Sequence, residues 1–243
     1  MFGEIFLAIV QAATEFLPVS SSGHLALFSS LISAPNLFFF TALHFASLFA
    51  VLIFTRKEIF ELLTFKKESI KQTSYILIGI IPAGLVGFFF HDFIEKSFSN
   101  MFFVGLAFIF TGFILFMTKH LGETTKLNAK NSFLIGLFQV LALFPGISRS
   151  GMTISAGIFS GLKKETAMKF SFLMFLPLTL GAVILELGDA YFSFSLLVSF
   201  LVCFLLSLVF LNLLYKVTQK GNFWIFSIYC WIVGIITLVL SMS

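Results

Sequence analysis

Charge is what this sequence has least of. Only 11% of its 243 residues are Asp, Glu, Lys or Arg, whereas a soluble domain carries about a quarter. With 59% hydrophobic residues and a mean hydropathy of +1.07, such a chain cannot cover its own surface in water. A water-soluble globular fold is therefore excluded. Cysteine is nearly absent: Cys203 and Cys230 both sit inside apolar runs, so no disulfide framework is implied. No HExxH or paired CxxC signals zinc, and no GxxxxGK[ST] signals a nucleotide-binding phosphate loop. The formal net charge of +4 comes without a basic cluster, so nucleic acid is not an expected partner. The start, Met1-Phe2-Gly3-Glu4, lacks a basic n-region, and no cleavable signal peptide is expected.

Long apolar runs are what the sequence does have. The 37 phenylalanines read as lipid-facing and packing residues. Six runs are long enough to cross a bilayer, at about 37–55, 73–90, 101–118, 168–187, 195–215 and 223–241. Two further stretches, 5–34 and 132–160, are broken by Pro18-Val19-Ser20-Ser21-Ser22-Gly23 and by Pro145-Gly146-Ile147-Ser148-Arg149-Ser150-Gly151. Each half-stretch is about 12–15 residues, near 20 Å of helix, and too short to cross alone.

Basic residues decide whether the broken stretches cross. Read as re-entrant hairpins, they bring Arg56, Lys57, Lys66, Lys67, Lys71, Lys119, Lys126, Lys130, Lys163, Lys164, Lys169, Lys216 and Lys220 to one face. The other face keeps Lys96 alone. The positive-inside rule then puts the thirteen in the cytoplasm and both chain ends outside. The expected fold is an all-α polytopic membrane protein with six transmembrane helices and two re-entrant helical hairpins. Three crossings per half make it an inverted-topology repeat, one membrane domain over 1–243 with halves at about 1–122 and 128–243. Laying the second half over the first at one constant offset superposes Gln11 on Gln139, Phe16 on Phe144, Ser20 on Ser148, Ser22 on Ser150 and Gly23 on Gly151.

Polar backbone at membrane depth is tolerated only where it is buried in protein or lines a wet cavity, and ionisable residues there are functional candidates. The first hairpin carries Gln11, Glu15, Ser20, Ser21, Ser22 and His24; the second carries Gln139, Ser148, Arg149, Ser150 and Thr153. Gln11 and Glu15, four apart, share a helical face. Ser20 and Ser148 can be plain N-caps. A half-helix N-terminus is also an anion site, and two of them with one Arg and one Glu suit a phosphate group. Arg149 can be Glu15's structural partner, but its planar fork favours phosphate. His44 is placed near the cavity's border, and His91 and Asp92 at a solvated span end. His120, Glu186 and Asp189 are given no chemistry.

The run from Gln11 to His24, with Leu17-Pro18-Val19-Ser20-Ser21-Ser22-Gly23-His24 at its end, resembles the first signature of the bacterial undecaprenyl-diphosphate phosphatases, the bacitracin-resistance family. Pro145-Gly146-Ile147-Ser148-Arg149-Ser150-Gly151-Met152-Thr153 resembles the second. Gln11 is the variant of an acidic position, which leaves one carboxylate fewer. The resemblance implies hydrolysis of the terminal phosphate of undecaprenyl diphosphate, which recycles the monophosphate carrier for cell-wall (peptidoglycan) synthesis and confers bacitracin resistance. Ser21 is the implied nucleophile, with His24 as general base or acid, Glu15 orienting it and Arg149 on the phosphoryl oxygens. Gln11, Ser20, Ser22, Ser148, Ser150 and Thr153 are the expected substrate-binding residues. Glu15 and Gln11 are the expected ligands of a divalent cation, Mg2+ or Ca2+. The expected partners are the prenyl diphosphate lipid and the bilayer, with homo-oligomerisation left open. The expected location is the bacterial inner membrane, with the site facing the periplasm or outer face. A lipid-phosphate transporter or flippase using the same site is the alternative.

Overall fold

A computed structural model describes residues 2–29, 37–119, 124–185 and 192–242. Their regular structure is entirely helical, as lipid requires, because a helix satisfies its backbone groups within the segment. The chain runs through α1 (Phe2–Phe16), α2 (Ser21–Ser29), α3 (Leu37–Phe54), α4 (Arg56–Leu62), α5 (Lys67–Phe89), α6 (His91–Ser97) and α7 (Met101–Phe116). It continues through α8 (Ala129–Leu141), α9 (Arg149–Phe159), α10 (Lys164–Leu185), α11 (Phe194–Gln219), a 3-10 turn at Phe223–Ile225, and α12 (Phe226–Met242). Four of these, α5, α10, α11 and the stretch ending in α12, are long and apolar enough to cross a membrane. The number rises to six if the bent pairs α3–α4 and α6–α7 are each one span.

The six expected runs correspond to α3, α5, α7, α10, α11 and α12. Two expected loops are wrong in part. Segment 56–72 holds α4 and the first turns of α5, and 91–100 holds α6. Both extra helices are seven residues long, bent by 76° from α3 and by 94° from α7. Their charged, helix-favouring sequences are too short for a hydropathy pattern to resolve. At the first bend the Thr55 hydroxyl donates to the Val51 carbonyl at 2.8 Å. His120, Glu186, Asp189 and residues 30–34 of the first broken stretch lie outside the described residues.

Across each break the flanking helices contact one another, α1 with α2 and α8 with α9. Each second helix starts on a serine cap. The Ser20 Oγ accepts from the Gly23 N–H at 3.3 Å and meets the Ser22 Oγ at 3.3 Å. The Ser148 Oγ accepts from the Gly151 N–H at 3.1 Å and meets the Ser150 Oγ at 3.3 Å. The two tips touch. A Cβ on Gly23 would stand 2.8 Å from the Gly146 Cα, and one on Gly151 would stand 3.4 Å from the Pro18 Cβ. Pro18 is related to Gly146, and Gly23 to Gly151, by the same offset that superposes Gln11 on Gln139, so one contact repeats the other. Gly146 is at φ +90°, and a Cβ there would lie 2.6 Å from the Val104 carbonyl oxygen, so only glycine fits this turn.

Partner helices hold each tip. The Pro18 carbonyl accepts from the Cys230 thiol on α12 at 3.6 Å, and the Gly146 carbonyl from the Thr111 hydroxyl on α7 at 3.0 Å. Helices α7 and α12 pack on each other at Gly105 and Gly234, where a Cβ would come within 3.1 Å of the opposing carbonyl. Small residues let membrane helices approach in this way. The main apolar core, including Phe16, Val51, Ile154, Phe172 and Leu211, is fully buried around α9. Phe88, Phe89 and Phe113 are exposed, as expected for side chains that face lipid.

Candidate active site

Glu15 is the hub of the site. Its helix places Gln11 one turn earlier on the same face, and the Gln11 Nε2 donates to the Glu15 Oε2 at 3.1 Å. Ser20, at φ 69°, turns the chain back so that α2 opens with Ser21. The Ser21 Oγ then donates to the same carboxylate oxygen at 2.6 Å. From the other tip Arg149, the first residue of α9, donates from Nη2 to the Glu15 Oε1 at 3.1 Å. Its Nη1 donates to the Ser171 carbonyl at 3.4 Å, and its guanidinium carbon lies 4.3 Å from the centre of the Phe175 ring. One buried carboxylate thus links the hydroxyl that opens α2 to the guanidinium that opens α9.

His44 of α3 completes the cluster. Its Nδ1 lies 3.0 Å from the Gln11 Nε2 and 3.4 Å from the Glu15 Oε2. One ring nitrogen cannot serve both: without a hydrogen Nδ1 accepts from the Gln11 N–H, and only when it carries one does it donate to Glu15. The shorter contact favours the acceptor role.

These groups face a cavity of about 340 Å³. Glu15, Ser21, His44, Gln139, Ser148 and Arg149 give it a polar wall, while Ala83, Phe175, Leu178, Ala182 and Val183 give it an apolar one. A second cavity of about 670 Å³ shares Ser22, Thr41, His44 and Leu143 with the first and extends to His91 and Glu95 on α6. The polar side chains lining the first cavity thus stand together with apolar ones.

Residues 4–236 match the family model of the bacitracin resistance protein BacA. The chain belongs to the BacA family. A protein of Methanococcus vannielii named undecaprenyl-diphosphatase is 42% identical over 240 residues, covering 95% of this chain and 96% of that protein. Proteins of the same name in Thermosipho africanus and Halothermothrix orenii are 44% and 37% identical, covering 96% and 99% of this chain and 97% and 98% of their own lengths.

Against the residues expected from the sequence, Glu15, Ser20, Ser21, Ser22, Ser148 and Arg149 all border the cavity. Gln11, Ser150 and Thr153 stand behind its wall. Thr153 donates to the Arg149 carbonyl at 2.8 Å and shares a 2.6 Å contact with the Ser171 hydroxyl, so it braces the turn that carries Arg149. His24 is not brought to Ser21. Its Nδ1 lies 2.7 Å from the Ser20 carbonyl, which can only accept, so Nδ1 carries the proton. Its Nε2 then accepts from the Tyr229 hydroxyl at 2.8 Å. Neutral His24 has no nitrogen left for Ser21, and its ring borders a different cavity, of about 930 Å³, between α2, α7 and α12. The i,i+3 spacing that paired the two residues is overridden by a partner far along the chain, on α12.

The expected cation ligands can be tested on their donor atoms. Glu15 offers carboxylate oxygens, and the Gln11 Oε1 is buried without a partner. Both are hard oxygen donors, which fits Mg2+ or Ca2+. With a single carboxylate, such a cation would keep waters or take other oxygens for its remaining ligands. Among the described residues, the set of three metal-type side chains within reach of one another is His91, Asp92 and Glu95, all exposed on α6.

Proposed function

We propose that this chain hydrolyses undecaprenyl diphosphate to undecaprenyl phosphate and phosphate. The observation that carries the reading is the Ser21–Glu15–Arg149 linkage beside a cavity with one polar and one apolar wall, in a family whose relatives are named undecaprenyl-diphosphatase. Nothing at the site favours a carrier, which would need cations and dipoles but no hydroxyl bonded to a base.

In this scheme the Ser21 Oγ attacks the terminal phosphorus while Glu15 takes its proton, at a separation already suited to transfer. The Oγ–P bond forms, the P–O–P bridge breaks, and the lipid monophosphate leaves with the proton that Glu15 had taken, which returns Glu15 to its carboxylate form. Water then attacks the phosphoserine with Glu15 again as base, the P–Oγ bond breaks, Ser21 recovers its hydrogen from Glu15, and inorganic phosphate is released. Arg149 holds two phosphoryl oxygens through both steps. Glu15 and Gln11 would hold the divalent cation, which would neutralise diphosphate charge. His24 is a positioning residue that fixes the Ser20 carbonyl. Purified protein in detergent is expected to release phosphate from a long-chain prenyl diphosphate, and chelation should slow release roughly tenfold or more, about 1.4 kcal/mol of barrier. No release in detergent would sink the enzyme reading, because transport needs two compartments and hydrolysis does not.

The proposal extends to topology: six spans and two re-entrant hairpins, related as an inverted repeat in the inner membrane, with the site reached from the outer face. Pairing of helices supports it. The first helix of each hairpin packs on the long helix of the other half, α1 on α11 and α8 on α5, while α7 meets α12. The repeated Gly23–Gly146 and Gly151–Pro18 contacts and the matched serine caps support it locally. Lys66 and Met242 are both exposed, while Cys203 and Cys230 are buried. In intact spheroplasts an impermeant thiol reagent is expected to label Met242→Cys and to spare Lys66→Cys until the membrane is opened. The reverse pattern would overturn this arrangement.

A further inference from the structure

We infer that Gln139 turns its buried amide into the cavity to bind the diphosphate head group, the nitrogen donating to a phosphoryl oxygen; the inference rests on the phosphatase reading above. Gln139 lies in the last turn of α8 and borders the cavity beside Ser148 and Arg149. It is 2% exposed, and both its amide atoms are shut away from solvent with no hydrogen-bond partner. A buried amide in that condition is unfavourable, and native proteins pair such groups or keep them for a ligand. Other buried hydroxyls without a partner, such as those of Ser199 and Ser227, do not border this cavity.

The sequence explains the missing partner. Gln139 is the second-half counterpart of Gln11, whose amide nitrogen is taken up by Glu15 and His44. At the same offset the counterpart of Glu15 is Leu143, so the second hairpin keeps the amide and lacks the carboxylate that would accept from it. The charge balance of the site points the same way. Glu15 and Arg149 already compensate each other, so a diphosphate arriving between them needs donors that are not committed to Glu15. A neutral amide on the opposite hairpin supplies one without drawing the carboxylate away from Ser21. Its oxygen is left for the water or cation that accompanies the head group.

Gln139→Leu tests this, since leucine matches the volume and removes both polar atoms. The variant is expected to melt no lower than wild type, because an unmet amide has been deleted. It should show kcat/KM for prenyl diphosphate about 10-fold to 100-fold lower, the loss expected of one hydrogen bond to a charged group. Inorganic pyrophosphate should raise the melting temperature of wild type and raise that of the variant less. A lower melting temperature without ligand would show that the amide has a partner inside the protein, and would overturn the inference. So would a stable variant with kcat/KM within threefold of wild type. If wild type released no phosphate, the phosphatase reading would fall first, and the pyrophosphate shift would still measure Gln139. If that shift were also absent in wild type, both would fall.

Discussion

Ser21→Ala is expected to lower kcat for phosphate release by about 10²–10⁴-fold, the span associated with a positioned proton-transfer partner, with the melting temperature near wild type. Its Oγ contributes the 2.6 Å bond to Glu15, and once it is gone that carboxylate keeps Gln11 and Arg149. Glu15→Gln should lose a similar amount, and the double variant little more, because parts of one catalytic unit are not additive. His24→Ala should behave differently. Its ring holds the Ser20 carbonyl and Tyr229, so its loss of rate should come with a lower melting temperature, and Tyr229→Phe should reproduce part of both. If Ser21→Ala keeps a tenth or more of the wild-type rate, about 1.4 kcal/mol of barrier, attack by serine is wrong and direct attack by water replaces it.

Arg149→Lys is the second large effect, about 10²–10³ in kcat, the usual loss when one preorganised stabilising group is removed. Lysine keeps the charge, so Glu15 stays neutralised. Truncation to alanine would instead strand a buried carboxylate, which costs about 3–5 kcal/mol of stability, and would confuse folding with catalysis. What lysine loses is the N–H donor now spent on the Ser171 carbonyl and the close contact of the guanidinium with the Phe175 ring. Those features fix the guanidinium plane toward two oxygens at once. Steady-state kinetics beside a melting curve decides it: a lysine variant with near wild-type kcat would mean that charge alone matters at this position.

Much of this was legible in the sequence because lipid forces a narrow choice. The breaks at Pro18–Gly23 and Pro145–Gly151 left a kinked span or a hairpin, between which the basic residues chose, and the serines inside them read as caps or ligands. The constant offset between the halves, five identities at first sight, reappears as matched caps and matched tip contacts. What was not legible depends on where side chains go after the turns are made. Ser21 and His24 share a helical spacing, but Tyr229 draws the imidazole toward α12. His44 was expected at the cavity's border and lines it, but the pattern of its span marks no inward face, so its approach to Glu15 follows only from tertiary placement. Gln139 had a signal, its equivalence to Gln11, although that pattern does not reveal an amide without a partner. The short helices α4 and α6 carry too few residues for any periodicity to register.

Ser21 and Arg149 occupy the same rung of their respective hairpins, and both grip Glu15, whose own counterpart is Leu143. A half-length chain paired with itself about a twofold axis would present two hydroxyls or two guanidiniums, with either two carboxylates or none. It could never present one of each. Joining two halves in one polypeptide is what lets equivalent positions diverge, so in the proposed mechanism the chemistry arises where the symmetry is broken, and neither half should be able to substitute for the other.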